Sequence, residues 1–163
     1  MQNGYALPSR DGLIEVSNRL GGLSEEDLDA LRKLLRIGIQ WNTQVTLGSS
    51  THKVSQAYCS ALPVAYSIHP THLWEKFARL VLEASYEATI CAAILNLFGR
   101  GTNRVFLTLL GGGAFGNETD WIMSSLKRVL ILYRDWDLEV VIVSYGVSRG
   151  EVRQLVGQFP PSA

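Results

Sequence analysis

Val105-Phe106-Leu107-Thr108-Leu109-Leu110-Gly111-Gly112-Gly113-Ala114-Phe115-Gly116-Asn117-Glu118-Thr119-Asp120-Trp121 is the stretch from which the fold can be read. It opens with strand formers that are apolar apart from Thr108, breaks into a turn dense in glycine, and restarts at Asp120 with the spacing of an amphipathic helix. A buried strand that feeds such a turn and then a helix presents backbone N–H groups to a phosphate. Glycine suits the purpose because it accepts positive φ and carries no Cβ to hold a ligand off the backbone. The expectation is a loop that holds a diphosphate.

On either side of this stretch the pattern alternates. Residues 71–98 read as the longest helix: Leu73, Phe77, Leu80, Ala84, Ala88, Cys91 and Leu95 recur at helical spacing, and Gly99 and Gly101 stop it. After the buried strand 105–110, residues 120–133 form a helix expected to bury Ile122, Leu126, Val129, Leu130 and Tyr133. Residues 138–143 are a second apolar strand, followed by Ser144-Tyr145-Gly146 and a last helix over 149–159, with Pro160-Pro161 closing the chain. Continuous apolar strands that alternate with helices predict a mostly parallel sheet covered on both faces. Ligands of such sheets bind beyond the carboxyl ends of the strands. The loops after Val16, Leu110 and Val143 are therefore expected to converge.

The first half is less regular. Residues 1–11 read as an entry arm, 12–16 as a short strand, and 17–22 as a polar, glycine-bearing turn. Ser24 is a helix N-cap with Glu25, Glu26 and Asp27 in the first turn, where Asp27 closes a capping box; Leu28, Leu31, Leu34 and Leu35 supply the buried face. Residues 37–47 alternate as a strand, 48–51 form a loop, and 54–62 read as a short helix that Pro63 ends. Residues 63–68 fit a strand or an extended connector equally well.

Composition bounds the rest. A chain of 163 residues, 47% hydrophobic and 18% charged, fits a single domain over 1–163. Fifteen basic residues balance fifteen acidic ones, which argues against nucleic-acid binding by bulk charge. Cys59 and Cys91 form no CxxC pair, so neither a disulfide framework nor a zinc cluster is expected. With no signal-peptide pattern and no apolar run beyond about half a span, the expectation is a soluble, monomeric protein of the cytoplasm that uses no metal and no membrane.

Gly111-x-Gly113-x-x-Gly116 matches the dinucleotide fingerprint, but the ribose-binding acid that should end the next strand is missing, since Ser144-Tyr145-Gly146 stands there. That weakens a nicotinamide oxidoreductase reading. No Gly-Lys-Ser/Thr follows, so this is not a P-loop. The plain alternative is a tight turn that spaces a strand from a helix.

Residues 105–116 resemble the second ligand loop of macrodomains, the ADP-ribose-binding family, in which a buried strand ends in a Gly-x-Gly-x-Phe/Tyr-Gly turn. The order of elements over 71–159 is similar as well. The resemblance implies a three-layer α/β/α macrodomain-like fold with a mostly parallel mixed sheet. It also implies a first ligand loop, for which two stretches are candidates: residues 17–22, with Asn18 in the asparagine position, or residues 48–56. Residues 54–67, together with the glycine loop, are similar to the arginine-specific branch, which includes an enzyme that removes ADP-ribose from ubiquitin.

On that resemblance Gly111, Gly112, Gly113, Ala114, Phe115, Gly116 and Asn117 would line the diphosphate and distal ribose, with Phe115 packed on the ribose. Tyr145 would stack on adenine, and Ser55 and Gln56 would be polar ligands. Glu118 and Asp120 would be catalytic, orienting water or binding the guanidinium at an oxocarbenium-like transition state. Asn117, Thr119 and Asp120 are equally natural first-turn residues of the next helix. The expected activity is an ADP-ribosylhydrolase acting on ADP-ribosylated arginine, with ubiquitin a candidate carrier protein. No cofactor is required, and ADP-ribose is ligand or product. The alternative is a reader that binds ADP-ribose without cutting it.

Overall fold

The computed structural model describes residues 4–159; residues 1–3 of the expected entry arm and the closing Pro160-Pro161 lie outside them. The chain runs α1 (Arg10–Gly21), α2 (Glu25–Arg32), β1 (Gly38–Gln44), β2 (Lys53–Tyr58), two 3₁₀ turns (Val64–Tyr66 and Thr71–Leu73), α3 (Glu75–Phe98), β3 (Arg104–Thr108), α4 (Thr119–Leu132), β4 (Glu139–Val143) and α5 (Gly150–Val156). This is an α/β protein with two small sheets. β3 and β4 pair in parallel, with Val105 opposite Val140 and Leu107 opposite Ile142. β1 and β2 form a separate antiparallel hairpin, irregular between Gln40 and Thr43, where Asn42 takes a positive φ of 54°.

The core lies between α3, α4 and the inward side of β3. Ala78, Leu82, Tyr86, Ile90 and Ile94 of α3 meet Ile122, Leu126 and Val129 of α4, together with Val105 and Leu107. Trp74 is fully enclosed and Trp121 nearly so, whereas Trp136 is partly exposed and meets Phe98 edge-on at 5.9 Å. β3 alternates buried and exposed positions, so Phe106 points outward and is 61% exposed. By length and composition alone α3 is apolar enough to cross a membrane, and 39% of its most apolar stretch is buried in the fold.

Four expectations are corrected. Residues 12–16 are not a strand: Ser9 caps α1 by accepting from the Gly12 N–H at 3.1 Å, and the helix buries Leu13. The turn expected at 17–22 is accordingly the last part of that helix, and no strand ends at Val16 to join a convergence of loops. Residues 54–62 are not a helix; Lys53–Tyr58 pairs with β1, because cross-strand partners outweigh the weak local preference of Gln56-Ala57. Residues 63–68 are neither strand nor extended connector but centre on a 3₁₀ turn at Val64–Tyr66.

The buried stripe of α3 is also rotated from the expected one, and Cys91 and Leu95 face outward. This helix is apolar nearly all round and packed on several sides, so its own pattern does not select a face. On α2 the capping box forms as expected, Asp27 N–H donating to Ser24 Oγ at 3.2 Å and Ser24 N–H to Asp27 at 3.3 Å. Leu34, however, is 68% exposed, and Arg32 is buried in its stead. Its guanidinium meets Glu25 and Asp29 at 2.6 Å and Glu83 of α3 at 2.7 Å, which repays desolvation only because every acceptor is close.

Candidate functional site

The glycine turn leaves β3 through a buried tyrosine. Tyr86 Oη donates to the Thr108 carbonyl at 2.8 Å and accepts from the Leu110 N–H at 2.9 Å, and burial pushes its phenol well above the usual range. The strand end is thereby fixed. Gly111 then takes φ +76° and Gly116 φ +67°, and Asn117 N–H closes the loop on the Gly111 carbonyl at 3.0 Å. Asn117 is buried, and its Nδ2 donates to the Leu62 carbonyl at 2.8 Å. Ala65 N–H donates to the Phe115 carbonyl at 2.9 Å.

One side of the loop is thus packed on residues 61–65. The other side is open. Gly112 and Gly113 border a pocket of about 430 Å³ at the carboxyl ends of β3 and β4, together with Thr119 of α4 and the segment Ser144, Tyr145 and Arg149 after β4. Among the described residues, its two chain neighbours aside, no heavy atom lies within 4 Å of where a Cβ on Gly113 would sit. Among the described residues, no acceptor takes the N–H groups of Gly113, Ala114 or Phe115. Ser144 Oγ is buried and has no hydrogen-bond partner among the described residues. Tyr145 is fully exposed at the rim. Free backbone donors, the amino end of α4, an unpartnered hydroxyl and the Arg149 guanidinium together favour an anionic group flanked by a planar one.

The loops after β3 and β4 therefore meet as expected, and Gly112, Gly113 and Tyr145 line one pocket. Other expected site residues lie elsewhere. Phe115 stands edge-on to Tyr5 and Tyr66, with ring centres 5.9 and 5.5 Å away. Asn18 is exposed on α1, away from the pocket lining. Ser55 and Gln56 lie on β2 and border a separate groove; Ser55 Oγ donates to Asn96 Oδ1 at 3.2 Å.

Of the two acids, Glu118 is the N-cap of α4, exposed and making no side-chain cap bond. Asp120 pairs with Arg79 of α3, which also donates to Glu75 at 2.9 Å and to Ser124 at 2.5 Å. Burial works against the Arg79 charge, and the hydrogen bonds to Asp120 and Glu75 outweigh it. The α4 side chains at the pocket are Thr119, Ile122 and Met123, so Asp120 is turned toward α3. Cys59 meets Thr89 Oγ1 at 3.9 Å, and burial pushes its thiol up. His52 Nδ1 is hydrogen-bonded to Ser50 Oγ at 2.6 Å.

Residue-level reading of the sequence missed Ser144, Thr119 and Arg149 as pocket residues. Their only signal was position, at the carboxyl end of a parallel strand and at the start of the next helix. In comparisons with known proteins, no family model matches the chain, and no curated protein or solved structure is significantly similar to it.

Proposed function

We propose that this protein binds ADP-ribose in the pocket at the carboxyl ends of β3 and β4. The diphosphate would lie against the backbone of the loop at Gly112 and Gly113, and Tyr145 would stack on the adenine. The observation that carries this reading is the Gly113 N–H, which no described residue accepts, at a pocket that Gly112, Ser144, Tyr145 and Arg149 also line. A nucleoside diphosphate meets both needs, since it offers anionic oxygens to the donors and a flat ring to the tyrosine. The macrodomain-like three-layer fold belongs to the same proposal. It is supported by the helix–strand–loop–helix–strand–helix order from α3 to α5 and by the parallel β3–β4 pair. The outward face of β3, bearing Phe106, is where a further layer would lie.

Of the two activities the resemblance implies, recognition without cleavage has the better support. No carboxylate is among the residues that border the pocket, and Asp120 is engaged by Arg79. Hydrolysis of arginine-linked ADP-ribose is the second reading, and the free Glu118 side chain at the start of α4 favours it. It would orient the attacking water.

Calorimetry with ADP-ribose, run beside incubation with arginine-ADP-ribosylated ubiquitin, separates them. Saturable binding with no ADP-ribose released is the expected result. Release that Glu118→Gln abolishes would establish the hydrolase. Absence of any binding would end the ADP-ribose reading altogether.

A further inference from the structure

The contacts of α3 set the direction of the strands that cross it. Ser55 of β2 bonds Asn96 at 3.2 Å, and Cys59, just past that strand, meets Thr89 at 3.9 Å. Asn96 Nδ2 donates to the Thr102 carbonyl at 3.3 Å ahead of β3, and Tyr86 Oη donates to Thr108 at its end. β2 and β3 thus both run from the Asn96 end of α3 toward the Tyr86 end, and β4 shares the direction of β3. Yet β2 and β3 are not bonded to each other; among the described residues each has a single neighbour, β1 or β4.

Between them lies a groove of about 1090 Å³. It is lined by consecutive residues of β2 and of β3, by Ile39, Trp41 and Asn42 of β1, and by Thr89, Ala93 and Asn96 of α3. No residue of β4 beyond Glu139 enters it, so the groove runs along the edge of β3 that faces away from β4. A strand edge is a row of unpaired N–H and C=O groups. Two parallel rows facing one trench would be complemented by an extended backbone lying about 4.8 Å from each strand it pairs with. The amino end of the groove is basic: among the described residues neither Lys53 nor Arg100 has an ion-pair partner, whereas Arg104 is held by Glu139 at 2.8 Å. Val54, Tyr58 and Phe106 leave apolar surface exposed beside it.

We propose that this groove receives an extended peptide from a partner protein. The peptide enters as a strand parallel to β2 and β3, with acidic residues at its amino end against Lys53 and Arg100. A second copy of the chain is a poor occupant, because each described strand already has a neighbour on one edge. Insertion would join the two small sheets into one of five strands. This proposal is independent of the ADP-ribose pocket, which lies beyond the other end of β3.

The test uses a fluorescein-labelled peptide of two aspartates followed by alternating valine and threonine, and the same peptide with a central proline. By fluorescence anisotropy the first should bind about tenfold more tightly, because proline removes a ladder donor. The double variant Lys53→Glu/Arg100→Glu should weaken the first peptide about tenfold at low salt and far less at high salt. Amide exchange should slow in β2 and β3 when the peptide is present. Equal binding of both peptides, no binding at about 1 mM, or protection confined to other elements would overturn the proposal. A dimer by light scattering, with both edges protected in the absence of peptide, would assign the groove to a second copy and overturn it equally.

Discussion

The two sides of the glycine loop use the same residue type for opposite purposes. Gly111 and Gly116 face inward with positive φ, and a Cβ on either would run into Ala61 or Ala65. Their lack of a side chain lets the loop sit directly on residues 61–65. Gly113 faces outward, with empty space where its Cβ would be. Packing therefore accounts for the inner pair but not for the outer glycine. What distinguishes Gly113 is its place at the pocket, beside N–H groups that none of the described residues accepts.

That contrast can be broken most severely at Gly116. Replacement by alanine forces a side chain into left-handed backbone and to within 2.6 Å of the Ala65 Cβ. The expected cost is about 3 kcal/mol, read as a fall of roughly 10 °C in thermal midpoint. Next comes Asn117→Ala, which leaves the Leu62 carbonyl without its donor inside the protein. Denaturant unfolding should register about 2 kcal/mol. Gly113→Ala should leave stability within about 0.5 kcal/mol while weakening ADP-ribose about tenfold by calorimetry, since the new methyl group occupies the ligand's side of the loop. If Gly113→Ala destabilises as Gly116→Ala does, the contrast between the two sides is wrong. Smallest of all is Asp120→Asn. The ion pair it breaks is largely exposed, so less than about 1 kcal/mol of stability is expected to go, with ADP-ribose affinity unchanged.

Some of this was legible in the chain. The order from α3 to α5 could be read because each element there has a composition and length typical of its kind and a clear stop, such as Gly99 after α3. The capping box at Ser24 and Asp27 is a local bond and was readable for that reason. Residues 12–16 and 54–62 were misread because each is short and its local preferences are weak. What decided them was the Ser9 cap and the burial of Leu13 in one case, and pairing with β1 in the other. Ser55 and Gln56 were accordingly grouped with a pocket that they do not reach.

The sequence by itself determined that a strand, a glycine turn and a helix follow one another at residues 105–121, because alternation, glycine content and helical spacing are local properties. It also determined that two such strands run parallel, since a helix intervenes between them. Only the tertiary structure decided which glycines pack and which face the pocket, because that depends on Ala61 and Ala65, some fifty residues away in the chain. Only the tertiary structure turned Asp120 toward Arg79 instead of toward the pocket, since a helix of known sequence can be rotated about its axis until its neighbours hold it. It alone, too, left β2 and β3 as unpaired edges across one groove, because pairing between strands is a relation of whole elements in space.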